Sequence, residues 1–391
     1  MAGGNMERVL KVMAERGASD VYLSVNTAIQ LRINGRLIQL TDKRLAPSEP
    51  RKLLEEILKP EHLAELDARG ELNIGLPISG LGSFRISAFR QRGSIAAVLR
   101  CIPFDIPALD GLHLTPILSE LVMEKRGLIL LVGATGTGKS TTLAAMLEHR
   151  NQQLDGHILT IEDPIEFLFS NKRSIVNQRE VGRDTESLQV ALKNAMRQAP
   201  DCIMVGEIRD RETMTAALSY ALSGHLVLAT LHANNTHHAL NRILSLYTPD
   251  ARPSMLSDLS AGLRAVISQR LLRASAGGRL PAVEVLLNTR LVGEMIERGD
   301  VHGVREAVEK SMAEGSQTFE QDLARLITTG LVSREEGIAN ADSPSDLMWR
   351  LENAAAEKSA VKPEDTESDT ATFTEITLEV HQPTRSGSLG P

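Results

Sequence analysis

Between residues 6 and 13 apolar side chains recur at Met6, Val9, Leu10 and Met13, a three-and-four spacing that gathers them on one face of a helix. The period then changes. Val21, Leu23 and Val25 alternate with polar neighbours, and LRINGRLIQL sets Asn34-Gly35 between two apolar runs, which predicts a strand followed by a β-hairpin. Helical spacing returns from about Ser48 to Leu58 and from Glu61 to Leu66. ELNIGLPI, GSFRISAFR and SIAAVLR then alternate as three further strands between glycine-containing turns. These elements predict a small α+β domain over residues 1–100. Pro103, Pro107 and Pro116 interrupt any regular element across 101–116, as in a semi-rigid linker.

Past the linker the strands stop alternating. LILLVG, HILTIE, CIMVGE and LVLATL are continuous apolar runs of strand length, each followed by turn signals and then a helical pattern. Such runs predict parallel strands covered by helices on both faces. After Ser260 helical patterns dominate, with one strand-like run at AVEVLLN, and past Glu352 the chain turns to Ser, Thr, Pro and acid. The expected layout is an α/β core over 117–288, a helical subdomain over 289–354 and a disordered tail over 355–391. Within that tail TFTEITLEV, Thr372 to Val380, reads either as solvated chain or as a strand that adds to a partner's sheet edge.

The length, 391 residues, agrees with two folded units. The net charge is -7, of which residues 357–391 carry -4, so the body is nearly neutral; with 3% aromatics it lacks the charge to neutralise phosphates and the rings to stack bases. Nucleic acid is therefore not expected as a partner. Cys101 and Cys202 form no CxxC pair, which predicts neither a disulfide framework nor a thiolate zinc site and suits a reducing cytoplasm. No stretch approaches the roughly 18 apolar residues of a membrane helix, and MAGGNMERVL carries charge where a signal peptide is apolar, so no transmembrane segment is expected.

Candidate chemistry begins at GATGTGKS, which fits GxxxxGK[ST] between the apolar strand LILLV and the helical TTLAAMLEHR. In this pattern Gly133, Ala134, Thr135, Gly136, Thr137 and Gly138, with Lys139, Ser140 and Thr141 behind them, curl the backbone so that N–H groups and a helix N-terminus face phosphate oxygens. Lys139 reaches the β and γ phosphates and Ser140 ligates Mg2+. The cofactors are thus ATP and Mg2+. Glu207, at the end of CIMVGE, is the candidate second magnesium ligand, unless it is a solvated strand-end acid. TIEDPIEF supplies Glu162, Asp163 and Glu166, with Glu162 the candidate base for the attacking water. His225 and His232 bracket LVLATL, near opposite ends of one strand, and are either site residues or hydrogen-bonded structural histidines.

In their order and spacing GATGTGKST, TIEDPIEF, VGEIRDRET and SGHLVLATLHANN resemble the secretion-superfamily ATPases of the PilT/PilU branch, over about residues 5 to 350. The resemblance implies that these are the Walker A, Asp box, Walker B and His box. Glu162 is then the catalytic base, Glu207 the Walker B acid, and His225 and His232 the His-box pair. It implies a PAS-like N-terminal domain on a RecA-like P-loop core with a helical C-terminal extension, assembled as a homo-hexamer. FRISAFRQRGSIAAVLR matches the segment that carries arginines to nucleotide, at Arg85 and Arg100; the alternative is that both merely solvate a sheet face. LVGEMIER, Leu291 to Arg298, departs from the AIRNLIRE of PilT members, and with EVLLNT, GSQTFEQ and ANADSPSDL it sides with PilU members. The implied function is ATP-driven retraction of a type IV pilus, from the cytoplasmic face of the inner membrane, on a platform protein and beside a PilT-like ATPase. The alternative is a nucleotide-gated accessory subunit of a PilT-like hexamer with little turnover of its own.

Overall fold

The structure is a computed structural model that describes residues 4–33, 35–78, 82–102, 105–309 and 313–360. The segment Thr372 to Val380 and Asn34 lie outside the described residues. Helix α1 (Asn5–Glu15) buries Met6, Val9, Leu10 and Met13, the stripe its spacing predicts. Strands β1 (Asp20–Leu23), β2 (Gln30–Ile33) and β3 (Arg36–Gln39) follow, then helices α2 (Glu49–Glu55) and α3 (Pro60–Arg69), then β4 (Glu71–Ile78), β5 (Gly82–Gln91) and β6 (Ser94–Ile102). The six strands form one antiparallel sheet in the order β3-β2-β1-β6-β5-β4. Alternation sorts its faces: Phe84, Ile86 and Leu99 go under the helices, while Arg85 and Arg100 stay on the exposed face.

The second unit opens with α4 (Ile117–Met123) and continues β7 (Gly127–Val132), α5 (Lys139–Gln153), β8 (Gly156–Glu162), β9 (Ser174–Glu180), α6 (Leu188–Ala195), β10 (Cys202–Val205), α7 (Arg211–Leu222), β11 (Leu226–Leu231), α8 (Thr236–Ser245), α9 (Arg252–Gly262), β12 (Leu263–Arg273) and β13 (Arg279–Leu287). Its sheet runs β13-β12-β7-β11-β10-β8-β9, parallel except for β13. Every residue of β7, β10 and β11 is buried, because helices cover both faces; one apolar layer includes Met214, Leu240 and Leu259, the other Leu121, Leu143 and Leu147. Helices α10 (Arg290–Glu297), α11 (Val301–Glu309), α12 (Phe319–Thr328), α13 (Arg334–Ala339) and α14 (Pro344–Ala360) complete the chain. The last three cover the β12–β13 end through Phe319, Leu323 and Leu347 on Leu272 and Leu280. Among the described residues no helix is long and apolar enough to cross a membrane.

This is the expected α/β class, a small α+β domain followed by a parallel P-loop core with a helical extension. Three elements differ from expectation. Leu263–Arg273 lies where helical patterns were expected yet forms the longest strand of the core; β-branched Val266 and Ile267 sit buried between β7 and β13, so pairing on both sides overrides local propensity. Polar SIVNQRE makes the edge strand β9, where only one side needs a partner. Helix α14 continues through Ala360, past residue 355 where disorder was expected, because Ala, Glu and Lys in AAAEKSA are strong helix formers.

Candidate active site

Strand β7 delivers the chain to Gly133, whose φ is 154°. A Cβ there would stand 2.6 Å from both the Gln269 carbonyl oxygen and Thr137 Oγ1, so only glycine fits. Gly138, with φ 87°, turns the loop into α5; a side chain there would meet Gln269 at 2.9 Å. Between them Lys139 curls back, its Nζ donating to the Gly133 and Ala134 carbonyls at 2.8 Å each. Burial pulls the Lys139 pKa below the ordinary lysine value, against the opposing charges of Glu207 and Glu166. The ammonium thus sits on neutral carbonyls within a glycine-turned loop at the start of α5, a place for polyanionic oxygens.

Gln269 of β12 holds that loop and was not found from sequence. Its side chain is 2% exposed and both ends are satisfied: Oε1 accepts from Thr142 Oγ1 at 2.9 Å and Nε2 donates to the Thr137 carbonyl at 2.8 Å. A primary amide inside an otherwise apolar strand would have been the signal, but Ser268 and Arg270 flank it and it reads as one only once β12 is recognised as a strand.

The strand order β7-β11-β10-β8 brings four C-terminal ends together. Glu207 follows β10, its Oε2 accepting from Arg209 Nε at 2.8 Å and its Oε1 lying 3.1 Å from His232 Nε2. Arg209 also lies 3.7 Å from Asp163 after β8. The Thr230 hydroxyl donates to the Gly206 carbonyl, and Ile208 N donates to Thr230 O at 2.9 Å, locking the ends of β10 and β11 in register. Glu162 closes β8, 7% exposed. It accepts from Thr160 Oγ1 at 2.6 Å, Gln178 Nε2 at 3.1 Å and Glu166 N at 3.4 Å. Burial raises its pKa above the usual carboxylate range, more than those three bonds lower it. A cavity of about 440 Å3 opens between Ala134 of the loop and His232, Asn234, His238 and Arg242.

Not every expected site residue joins this cluster. His225 stands at the start of β11, its ring edge-on to Tyr220 at 5.6 Å and its Nδ1 3.2 Å from the Tyr220 carbonyl. Six strand residues separate it from His232, roughly 20 Å at strand rise, so within one chain the two histidines do not share a centre. Arg85 and Arg100 are direct cross-strand neighbours on β5 and β6. Arg100 Nε donates to Asp20 Oδ1 at 2.8 Å, and Asp20 is 2% exposed. That bond raises the Arg100 pKa, and the Glu166 charge adds to the effect. Arg183 Nη1, after β9, donates to the Gly75 carbonyl of β4 at 3.2 Å and joins the two units nearby.

Among the described residues no group of three or more His, Cys, Asp or Glu is placed to hold a metal. Ser140 in the first turn of α5 and Glu207 supply two oxygen donors. Such a sparse set suits Mg2+, which takes one or two protein oxygens together with phosphate oxygens and waters, so the residues present fit the ion only alongside a bound nucleotide.

The model of the Type II/IV secretion system protein family matches residues 5–293. The chain is 44% identical to the type IV pilus ATPase PilU of Pseudomonas aeruginosa over 88% of its own length and 91% of that protein. It is 35% identical to the type IV pilus retraction ATPase PilT of the same organism, over 88% of this chain and all of that one. A crystal structure of the pilus retraction motor PilT with bound ADP superposes with a TM-score of 0.82 at 39% identity, covering 88% of this chain and 99% of that one. With the glycine-built phosphate loop and the acids at adjacent strand ends, these likenesses make the chain a member of the Type II/IV secretion system protein family, a secretion ATPase of the PilT/PilU kind.

Proposed function

We propose that the chain is a hexameric motor that hydrolyses ATP with Mg2+ and so powers type IV pilus retraction and twitching motility, from the cytoplasmic side of the inner membrane at the pilus base. The observation that carries the reading is the convergence of Lys139, Glu162 and the Glu207–His232 pair on adjacent strand ends. Triphosphate oxygens take the place of the Gly133 and Ala134 carbonyls around Lys139, exchanging neutral acceptors for charged ones. Ser140 and Glu207 would hold Mg2+, which when bound would neutralise charge on the phosphate oxygens. Gly133 to Thr141 wrap the phosphates.

Glu162 takes the proton of the attacking water, and its raised pKa keeps it a better base near neutral pH than an exposed carboxylate. Arg209 and His232 fix the Glu207 carboxylate in one orientation. Arg85 and Arg100 lie on the sheet face that a neighbouring subunit's nucleotide meets, with Arg100 passing between Asp20 and the phosphate, so that turnover depends on assembly. His225 supports the strand from its far end by packing on Tyr220. The chain works beside a PilT-like ATPase on an inner-membrane platform protein. Lys139→Ala expressed in place of the wild type abolishes turnover and its contribution to retraction; undiminished retraction with that variant would overturn the motor reading.

A further inference from the structure

The five residues His232 to Thr236 join the site to α8, and what fixes them comes from the last third of the chain. Arg270 of β12 donates to Asn234 O at 3.4 Å and pairs with Asp342 and the Asn340 carbonyl. Its guanidinium stacks 3.9 Å over the Phe319 ring. The other Asp342 oxygen accepts from Asn235 Nδ2 at 3.4 Å. Glu284 of β13 accepts from Thr236 N at 2.7 Å at the first residue of α8. Asp342 is itself placed by Glu320 of α12, 7% exposed, whose Oε1 accepts from the backbone N–H of both Asp342 and Ser343 at 2.9 Å. Asp342 belongs to ANADSPSDL, a segment with no part in the chemistry above.

Two features distinguish this network from ordinary packing. Arg270 neighbours Gln269 on β12, so one strand holds the phosphate loop on one face and the His232 loop on the other. The Arg270–Asp342 pair keeps 19% and 35% of its side-chain area exposed, and an ion pair at such a position adds little stability while fixing geometry closely.

We propose that Asp342, acting through Arg270 and Asn235, is a positioning residue for the His232–Glu207 pair, and that helices α12 to α14 are thereby coupled to the phosphate end of the site. The proposal rests on the reading that His232 serves ATP turnover. A displacement of the helical layer moves the 340–343 loop, which moves Asn234 and Asn235, which turn His232 on Glu207. The coupling is reciprocal: nucleotide that reorients His232 is felt at α12 to α14.

The test compares full-length Asp342→Ala, Asp342→Asn, His232→Ala and the Asp342→Ala/His232→Ala pair. It reads turnover against ATP concentration, fluorescent ADP binding, melting, and the His232 imidazole NMR signal, assigned by its loss in His232→Ala. Misplacement of a site group by about 1 Å predicts a kcat in Asp342→Ala lower by up to about 100-fold, with ADP affinity within about twofold of wild type. Melting moves by less than about 3 °C. The His232 signal shifts, Asp342→Asn recovers most of the turnover because it keeps the acceptor for Arg270, and Asp342→Ala adds no loss on the His232→Ala background. Wild-type kcat with an unmoved His232 signal overturns the proposal, as does a full multiplicative loss in the double variant. A shifted signal with His232→Ala fully active upholds the coupling and refutes the role of His232 instead.

Discussion

Replacing Gln269 by Leu is the sharpest structural perturbation of the site that touches no reacting group. The side chain is 2% exposed, and leucine fills much of its volume, so the cavity contribution is small. The loss is polar. Thr142, 1% exposed, would keep a hydroxyl without its 2.9 Å acceptor, and the Thr137 carbonyl would lose its 2.8 Å donor. An orphaned buried polar group costs about 1–3 kcal/mol, giving roughly 2–6 kcal/mol for the two and a fall in the core's melting midpoint of about 4–24 °C. Nucleotide affinity should fall too, since Thr137 lies in the loop proposed to wrap the phosphates. The paired variant Thr142→Val/Gln269→Leu separates the effects: removing both partners restores part of the stability, while the Thr137 carbonyl stays unheld and nucleotide binding stays weak. Scanning calorimetry and fluorescent ADP titration read the two. Unchanged melting and unchanged affinity in Gln269→Leu would refute the claim that β12 holds the phosphate loop.

Three further outcomes follow from the same geometry. Glu162→Gln keeps nucleotide binding and slows hydrolysis by about 10²–10⁴-fold, the usual worth of a general base, measured by phosphate release. Gly133→Ala abolishes nucleotide binding, because the new Cβ would stand 2.6 Å from a backbone oxygen; retained affinity in an equilibrium titration contradicts the loop geometry. Desolvation pushes Glu284 up to about 7 from 4.5, so the folded state binds its proton more tightly than the unfolded one. Its contribution to stability is complete below about pH 4.5 and is lost as pH rises through 7, on the order of 3 kcal/mol in all. In Glu284→Gln melting is therefore flatter over that window than in wild type, and parallel melting–pH curves would contradict the assignment.

The phosphate loop was legible in the sequence because its residues answer to backbone geometry: Gly133 and Gly138 are dictated by conformations and close approaches that no other residue tolerates. The buried parallel strands were legible because burial on both faces leaves an unbroken apolar run. Strand β12 was not, since Ser268 and Gln269, both buried, interrupt the apolar run of LRAVISQRLLR, and Gln269 finds its partners only in the tertiary structure. Gln269 itself is a residue whose role exists only when β12 lies beside the phosphate loop. The histidines show the same limit. His225 and His232 flank one strand symmetrically in sequence, and the direction of β11 among its neighbours decides which one meets Glu207. For Arg100, sequence offered a finger or a solvated side chain; the fold adds a buried partner, Asp20, and a nearby acid, Glu166, neither close in sequence.

The decisive measurement for the motor is ATP turnover per chain against protein concentration, with mass measured in parallel, for wild type beside Lys139→Ala and Arg100→Ala. The predicted result is a wild-type rate per chain that climbs as chains assemble, with Lys139→Ala inactive at every concentration and Arg100→Ala assembling without the climb. Wild-type protein that assembles and binds ATP but turns over no faster than Lys139→Ala would contradict the motor and leave a nucleotide-gated accessory subunit in its place.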